Sequence, residues 1–453
     1  MGKSRPGLPP GPYLVVGLAR SGVAAALLLR SRGHSVIGVD TGSGDRPALA
    51  DAAGRLREAG VEVRLDASGV DLAARARTLI KSPGVPQDAP AVRAARARGL
   101  TVLGELELAW RLLPNEFVAV TGTNGKTTTT EWIGHVHRDA GLPVAVAGNV
   151  GTAVSTLALG DPREGGLPVN STVVCEASSF QLEDTLAFSP EAGVLLNLSP
   201  DHLDRHGTYD AYVAAKLKIF VNQGNYDVAV APADLEVEDL GGCARRVTFG
   251  DGPGPDLSER ADYLWWGEEP LLRVEELSLP GVHNVQNAMA TAAVCLARGI
   301  DAEAVATGLR TFAGVRHRLE RVPTSDGVTW INDSKATNVA STIVALQAFP
   351  GGIHLIAGGR GKQQDFSPLA GPVAERCRAV YLIGEAAGEL AEALAPAGVP
   401  LHQTGDLEHA VALAREAAKP GEVVLLSPAC ASFDQFTDFE ARGDFFRSLV
   451  ERA

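Results

Sequence analysis

Val118-Ala-Val-Thr-Gly-Thr-Asn-Gly-Lys-Thr-Thr-Thr-Thr130 is the stretch on which the reading of the whole chain turns. A short apolar, β-branched run ends before Gly122, a second glycine follows at 125, and Lys126 and Thr127 open a segment of helical character. A strand that feeds a helix through such a loop aims several backbone N–H groups and the positive end of the helix at one point, the geometry that binds phosphate. By this pattern Gly122, Thr123, Asn124, Gly125 and Thr128 cradle a nucleotide, Lys126 bridges its β- and γ-phosphates, and the Thr127 hydroxyl ligates Mg²⁺. The usual spacing places a further glycine at position 120, where this chain has valine, so Gly122 makes the turn in a variant loop. A plain polar turn is the competing reading, and Gly-Lys-Thr-Thr directly after an apolar run weighs against it.

Outward from this loop, apolar runs alternate with Ala-rich helical stretches, the βαβ pattern of parallel α/β domains. Strands are expected at Tyr13–Val16, Ser35–Val39, Val61–Leu65, Thr78–Lys81 and Thr101–Leu103 in a first block. A second block holds Phe117–Val120, Val144–Ala147, Thr172–Glu176, Ala192–Leu196 and Asp227–Ala231, and its Gly250–Asp262 stretch reads as a loop or small hairpin region. A third holds Thr329–Asn332, Gly352–Ala357, Ala379–Ile383 and Val423–Ser427. Boundaries fall near residues 112 and 314, giving three α/β domains: a Rossmann-like 1–112, a phosphate-loop domain 113–314 with a parallel sheet, and a Rossmann-like 315–453.

Composition sets limits. The 453 residues carry 41 Lys and Arg against 54 Asp and Glu, a formal charge of −13, which argues against a broad nucleic-acid-binding face. The five cysteines, 175, 243, 295, 377 and 430, are odd in number and widely spaced with no CxxC pair, which suits a reducing, cytoplasmic setting better than a disulfide framework or a zinc site. The Gly- and Pro-rich start has no apolar core of a signal peptide, and no run of 18 apolar residues occurs to span a membrane.

Three further groupings carry chemistry. Glu176 closes an expected strand, and strand C-termini are where open α/β sheets bind ligands. Asp201-His202-Leu203-Asp204 follows the next strand; alone it is an ordinary solvated turn, but after a phosphate loop Glu176 and His202 become candidate Mg²⁺ ligands. Gly17-Leu-Ala-Arg-Ser-Gly22 after a strand, with Asp40 ending the next, has the outline of a dinucleotide fingerprint whose middle glycine is replaced by Ala19.

The loop Gly122–Thr127 resembles that of the Mur ligases, which add amino acids to the peptidoglycan precursor, and the resemblance runs along essentially the whole chain. It implies that Lys216, four residues after Tyr212, is carbamylated by CO₂ and helps hold a second Mg²⁺ beside Thr127, Glu176 and His202. It implies that the N-terminal block binds UDP, with Gly17, Leu18, Ala19, Arg20 and Ser21 at the diphosphate and Asp40 and Thr41 at uracil. Ser82, Gly84, Asn149 and Ser178 would complete that site. Asn284, Asn287 and Arg318 resemble adenine-side contacts, with helix capping the other reading of the two asparagines.

Asn332-Asp-Ser-Lys-Ala-Thr-Asn338 resembles the members that add D-glutamate. By that resemblance Asp333 meets the ATP ribose, Lys335 the reacting phosphoryl group, Thr337 and Lys362 the side-chain carboxylate of D-glutamate, and Ser432 and Phe439 its α-carboxylate. Arg360 stands where several members have an acidic residue, and Gly42 where some have arginine. The implied activity is an ATP-dependent amide ligation of D-glutamate to UDP-N-acetylmuramoyl-L-alanine through an acyl phosphate, by a monomer, with small molecules as its partners. A sister ligase for another amino acid is the first alternative, and a non-catalytic nucleotide-binding regulator the second. The regulator predicts loss of Glu176, His202, Lys216 or Lys335, and all four are present.

Overall fold

The computed structural model describes residues 3–160, 166–237, 239–325, 327–361 and 364–452. The chain forms two compact units, Met1–Phe312 and Ala313–Ala453, and three sheets. The first sheet comprises β1 (Tyr13–Val16), β2 (Val36–Val39), β3 (Glu62–Arg64), β4 (Thr78–Lys81) and β5 (Thr101–Gly104) in the order β3-β2-β1-β4-β5, all parallel. β1, β2 and β4 are buried along their whole length, as continuous apolar strands covered on both faces must be. Strand order reverses between β1 and β4, and the turn from β1 into the helix Arg20–Ser31 lies at that reversal.

The second sheet holds β6 (Phe117–Thr121), β7 (Val144–Gly148), β8 (Thr172–Glu176), β9 (Ala192–Leu195), β10 (Val228–Pro232), β11 (Arg245–Asp251), β12 (Leu257–Arg260), β13 (Tyr263–Trp266) and β14 (Glu269–Arg273). Their order is β14-β13-β12-β11-β10-β9-β6-β8-β7, parallel from β7 to β12 and antiparallel beyond. The stretch Gly250–Asp262, expected as a loop or small hairpin region, carries the end of β11, a loop, β12 and the Ala261–Asp262 turn of the β12–β13 hairpin. Each of the last three strands buries a single leucine, Leu257, Leu264 and Leu272, and Leu264 pairs directly with Leu272. One anchor per strand amid glycine and proline leaves little apolar pattern to read. The first two sheets share a continuous apolar core in which Leu103, Leu106 and Trp110 meet Phe117, Phe188 and Ile219, so the segment around residue 112 is packed on both sides.

The second unit contains β15 (Glu320–Val322), β16 (Thr329–Asn332), β17 (Ile353–Gly358), β18 (Cys377–Ile383), β19 (Leu401–Gly405) and β20 (Val423–Leu426), ordered β15-β16-β20-β17-β18-β19 with only β15 antiparallel. Leu355, Leu382 and Leu425 fill one face of this sheet, and Trp330, Ile356, Val424 and Phe446 the other. Among the described residues no helix is long and apolar enough to cross a membrane.

Gly22 shows how closely the first turn is packed. A Cβ there would sit 1.8 Å from the Gly17 carbonyl oxygen and 2.6 Å from Ser82 Oγ. Gly22→Ala therefore forces the turn off β1 and is expected to destabilise by ~1–3 kcal/mol, the usual range for overpacking. Thermal unfolding checks this; an unshifted midpoint would contradict it.

Candidate functional site

The phosphate loop joins β6 to the helix Lys126–Asp139 with Gly125 as N-cap at φ +81°. A side chain at 125 is excluded twice, by that left-handed backbone and by Asn287 Oδ1, which a Cβ would approach to 2.2 Å. Thr127, one position into the helix, donates its hydroxyl to Glu176 Oε2 at 2.7 Å, and Asn149 Nδ2 donates to the other oxygen at 2.9 Å. Glu176 is brought there by register: β8 pairs with β6 so that Val120 faces Glu176, while β9 on the other side brings Val194 opposite Val120. From the end of β9, Asn197 holds the loop from below, its carbonyl accepting from Thr123 N at 3.1 Å and its Oδ1 from Asn124 N at 2.8 Å.

Lys126 Nζ curls back to donate to the carbonyls of Gly122 at 2.9 Å and Thr123 at 2.8 Å. Lys216, from the helix Tyr209–Val221, donates to the same Gly122 carbonyl at 2.7 Å. It is 2% exposed, with Nζ 4.6 Å from the Tyr212 ring centre, and Tyr212 OH lies 3.0 Å from Thr123 Oγ1. Burial, reinforced by the nearby Lys126 charge, brings the Lys216 amine down to about 7 against partial opposition from Asp201 and Glu176. The residue is thus an interior lysine, not the surface lysine its type suggests. Glu176 is 3% exposed and offers a carboxylate beside the Thr127 hydroxyl, oxygen donors of the kind Mg²⁺ takes. His202 is exposed at φ +50°, its ring makes a tilted contact with Phe180 at 4.8 Å between centres, and Nε2 lies 3.5 Å from Asp201 Oδ2. Among the described residues no three His, Cys, Asp or Glu side chains converge as a metal cluster.

A cavity of about 700 Å³ opens at the β1/β4 reversal. Gly17, Ala19, Arg20, Ser21, Asp40, Thr41, Ser82, Gly84 and Asn149 line it; Leu18 and Ser178 do not. Leu18 is buried at 2% beneath the turn and gives its N–H to Asp40 Oδ2 at 2.7 Å, while Gly42 N donates to Oδ1 at 2.7 Å. Asp40 thus braces the turn through its carboxylate. Ser178 caps the short helix Ser179–Leu182 in a reciprocal box with Gln181. Gln181, which sequence reasoning passed over, reaches the cavity wall; the Ser-x-x-Gln spacing after a strand was its signal.

Helix capping does not account for the two asparagines of the helix Val282–Ala297, because Gly281 is its N-cap and makes no side-chain cap. Asn284 Nδ2 reaches back to the Pro280 carbonyl at 2.8 Å, and Asn287, 6% exposed, backs the phosphate loop with Oδ1 3.4 Å from Thr129 Oγ1.

Within the second unit, Asp333 is 5% exposed, accepting from Ser427 Oγ at 2.8 Å and Leu319 N at 3.2 Å; burial pushes its carboxyl up to about 7. Lys335 and Thr337 are half-buried in the turn beyond β16, and Arg318 is exposed in the preceding segment. Ser432 is buried, and Phe439 starts the helix Phe439–Glu451 while its carbonyl accepts from Ser334 Oγ at 2.8 Å. Lys362 lies outside the described residues. Arg360 forms a fork with Glu385, both bonds 3.0 Å.

These features match known proteins along the chain. Residues 120–295 match the Mur ligase middle domain and residues 317–430 the Mur ligase, glutamate ligase domain. The chain belongs to the Mur ligase family. The UDP-N-acetylmuramoylalanine–D-glutamate ligase of Acidobacterium capsulatum is 44% identical over 452 residues, spanning 96% of this chain and 95% of that protein. The enzyme of the same name from Pelotomaculum thermopropionicum is 43% identical over 460 residues, 96% of each. In fold, the chain is similar to the UDP-N-acetylmuramate–alanine ligase of Thermotoga maritima, with a TM-score of 0.59 at 23% identity over 98% of this chain and 99% of that one.

Lys126→Ala is expected to lower ATP-dependent turnover by ~10²-fold or more, as the loss of one preorganised charge contact does. The unfolding midpoint should stay within a few degrees, because the lysine lies at the end of the phosphate loop, where the helix begins, and not in the apolar core. Activity within a few-fold of the unsubstituted protein, at unchanged stability, would remove the phosphate role.

Proposed function

We propose that this chain joins D-glutamate to UDP-N-acetylmuramoyl-L-alanine in peptidoglycan precursor synthesis, cleaving ATP to ADP and phosphate. The observation that carries the reading is the convergence of Lys126 and buried Lys216 on the Gly122 carbonyl, beside the Thr127–Glu176 pair, in a chain similar end to end to ligases of that name. The L-alanyl carboxylate attacks the γ-phosphorus and releases ADP; the amine of D-glutamate then attacks the acyl phosphate and expels phosphate as the amide forms. Splitting the condensation in this way replaces one difficult displacement by two easier ones. The loop N–H groups and Lys126 hold the transferring phosphoryl group and offset its charge. Thr127, Glu176, His202 and a carbamate on Lys216 would hold two Mg²⁺ ions, which supply charge neutralisation at the phosphoryl oxygens. His202, exposed beside Asp201, or a neighbouring carboxylate takes the proton from the attacking amine.

The cavity at the β1/β4 reversal takes the UDP-sugar, with the Gly17–Ser21 turn at the diphosphate, Asp40 and Thr41 toward uracil, and Asn149 joining the cavity to Glu176. Asn284, Asn287, Arg318 and Asp333 serve ATP, and Lys335 the phosphoryl group. Thr337, Lys362, Ser432 and Phe439 bind D-glutamate, a dicarboxylate that needs donors at both ends. The three-domain division at 112 and 314, a monomeric state and a cytoplasmic location belong to the same reading; five free cysteines, four of them buried, favour the reducing compartment.

Two measurements test this reading. An amino-acid panel, scored by ADP release with UDP-N-acetylmuramoyl-L-alanine as acceptor, is expected to favour D-glutamate over D-glutamine and D-alanine by ~10³-fold, because unpaired donors in a built site are costly. Lys362→Ala should raise the D-glutamate KM while moving those of ATP and acceptor far less. Preference for L-alanine or diaminopimelate would defeat the D-glutamate reading and leave the ligase standing.

Carbamylation gives the second measurement. CO₂ adds to the uncharged amine, and with Lys216 at about 7 that form grows as pH rises through neutrality, so carbonate-dependent activation should climb from pH 6 to 8. Lys216→Ala should be nearly inactive and partly restored by acetate or formate. Full activity of this variant without added carboxylate would exclude the carbamate.

A further inference from the structure

Four charged side chains with no role above share one interior network in the first unit. Lys81, ending β4, is fully buried; its Nζ lies 2.8 Å from Asp184 Oδ2 and 3.4 Å from Glu183 Oε1, and donates to the Val85 carbonyl at 2.7 Å. Gln87 Nε2 fills Asp184 Oδ1 at 2.7 Å. Arg205 Nη2 donates to Glu183 Oε1 at 2.6 Å, to the Val85 carbonyl at 2.7 Å and to the Pro83 carbonyl at 3.3 Å, while its guanidinium lies 4.9 Å from the Phe180 ring centre. Two cations face two carboxylates, so the charge closes. Buried ion pairs are expensive to desolvate and give little net stability, so their placement is better explained by the geometry they impose.

The segments joined here are the ones that line the cavity and carry His202. Pro83 and Val85 belong to the loop whose Ser82 and Gly84 face the cavity. Glu183 and Phe180 follow Ser178 in the segment that presents Gln181 to the same cavity. Arg205 sits in the short helix Leu203–His206 directly after His202, and Phe180, on which the guanidinium rests, also meets the His202 ring in a tilted contact at 4.8 Å and stacks on His206 at 5.5 Å. One guanidinium therefore touches the cavity loop, the Glu183 segment and the His202 turn. A lysine at 205 would keep the charge but not the flat surface that lies on Phe180 while its edge meets carboxylate and carbonyls.

We propose that Arg205 is a positioning residue that clamps the His202 turn to the Ser82–Val85 loop, so that filling the cavity with the nucleotide-sugar sets the His202 imidazole. The inference rests on the roles given above to the cavity and to His202. Two measurements on the full-length protein test it, using Arg205→Lys and Arg205→Met, with unfolding midpoints identifying any variant that fails to fold; Glu183→Gln replaces one that does. In hydrogen exchange, UDP-N-acetylmuramoyl-L-alanine is expected to protect amides of both 17–22 and 201–207 in the unsubstituted protein, and only 17–22 in the variants. In a double-mutant cycle with His202→Ala, Arg205→Lys alone should lower kcat by ~10-fold with the ATP KM little changed, and should cost less than ~3-fold further once His202 is gone, as coupled residues do. Multiplicative losses, or undiminished protection at 201–207 in the variants, would overturn the clamp while leaving the His202 assignment intact. A fully active His202→Ala would overturn both.

Discussion

Two lysine amines share the carbonyl oxygen of Gly122, one from the loop itself and one from a helix ninety residues further on. Each is drawn there because a backbone carbonyl at a strand end has lone pairs left over, and each repels the other. The interior amine yields: burial and its neighbour bring Lys216 down to about 7. The end of β6 therefore sets a charged amine and a readily neutralised one beside the Glu176 and Asp201 carboxylates.

That arrangement depends on register. Glu176 meets Thr127 only because β8 lies beside β6 with Val120 opposite Glu176, and Asn197 reaches the loop only because β9 flanks the other side. A slip of one residue in either pairing would turn the functional side chain to the opposite face of the sheet. β6 and β9 are buried throughout and β8 is buried beyond Thr172, which makes such a slip costly, so the apolar core sets the precision of the site.

Parallel α/β architecture could be read from the sequence because buried parallel strands are unbroken apolar runs; β1, β4, β8 and β16 lie at the residues read for them. Of the edge strands, β3, β5 and β7 were read while β14, β15 and β19 escaped: β19 is mostly exposed, and β12 to β14 bury one leucine apiece. The phosphate loop was legible because its chemistry is local and contiguous. The interior placement of Lys216, the bracing of the β1 turn by Asp40 and the network of Lys81, Glu183, Asp184 and Arg205 were not, since each joins segments that only folding brings together.

Asn287 gives the phosphate loop a property with a bearing on synthesis. The loop is complete in sequence at Thr128, yet the surface against which Gly125 rests is supplied by a helix that ends at Ala297, and Trp132 donates its indole N–H to the Gly308 carbonyl at 3.1 Å. A ribosome must therefore translate about 160–180 residues past the loop before its backing exists. Until that helix arrives, the nascent chain presents the glycine turn with an open flank. The phosphate loop is thus backed only near the end of the first unit's synthesis, although its own residues emerge before that unit is half made.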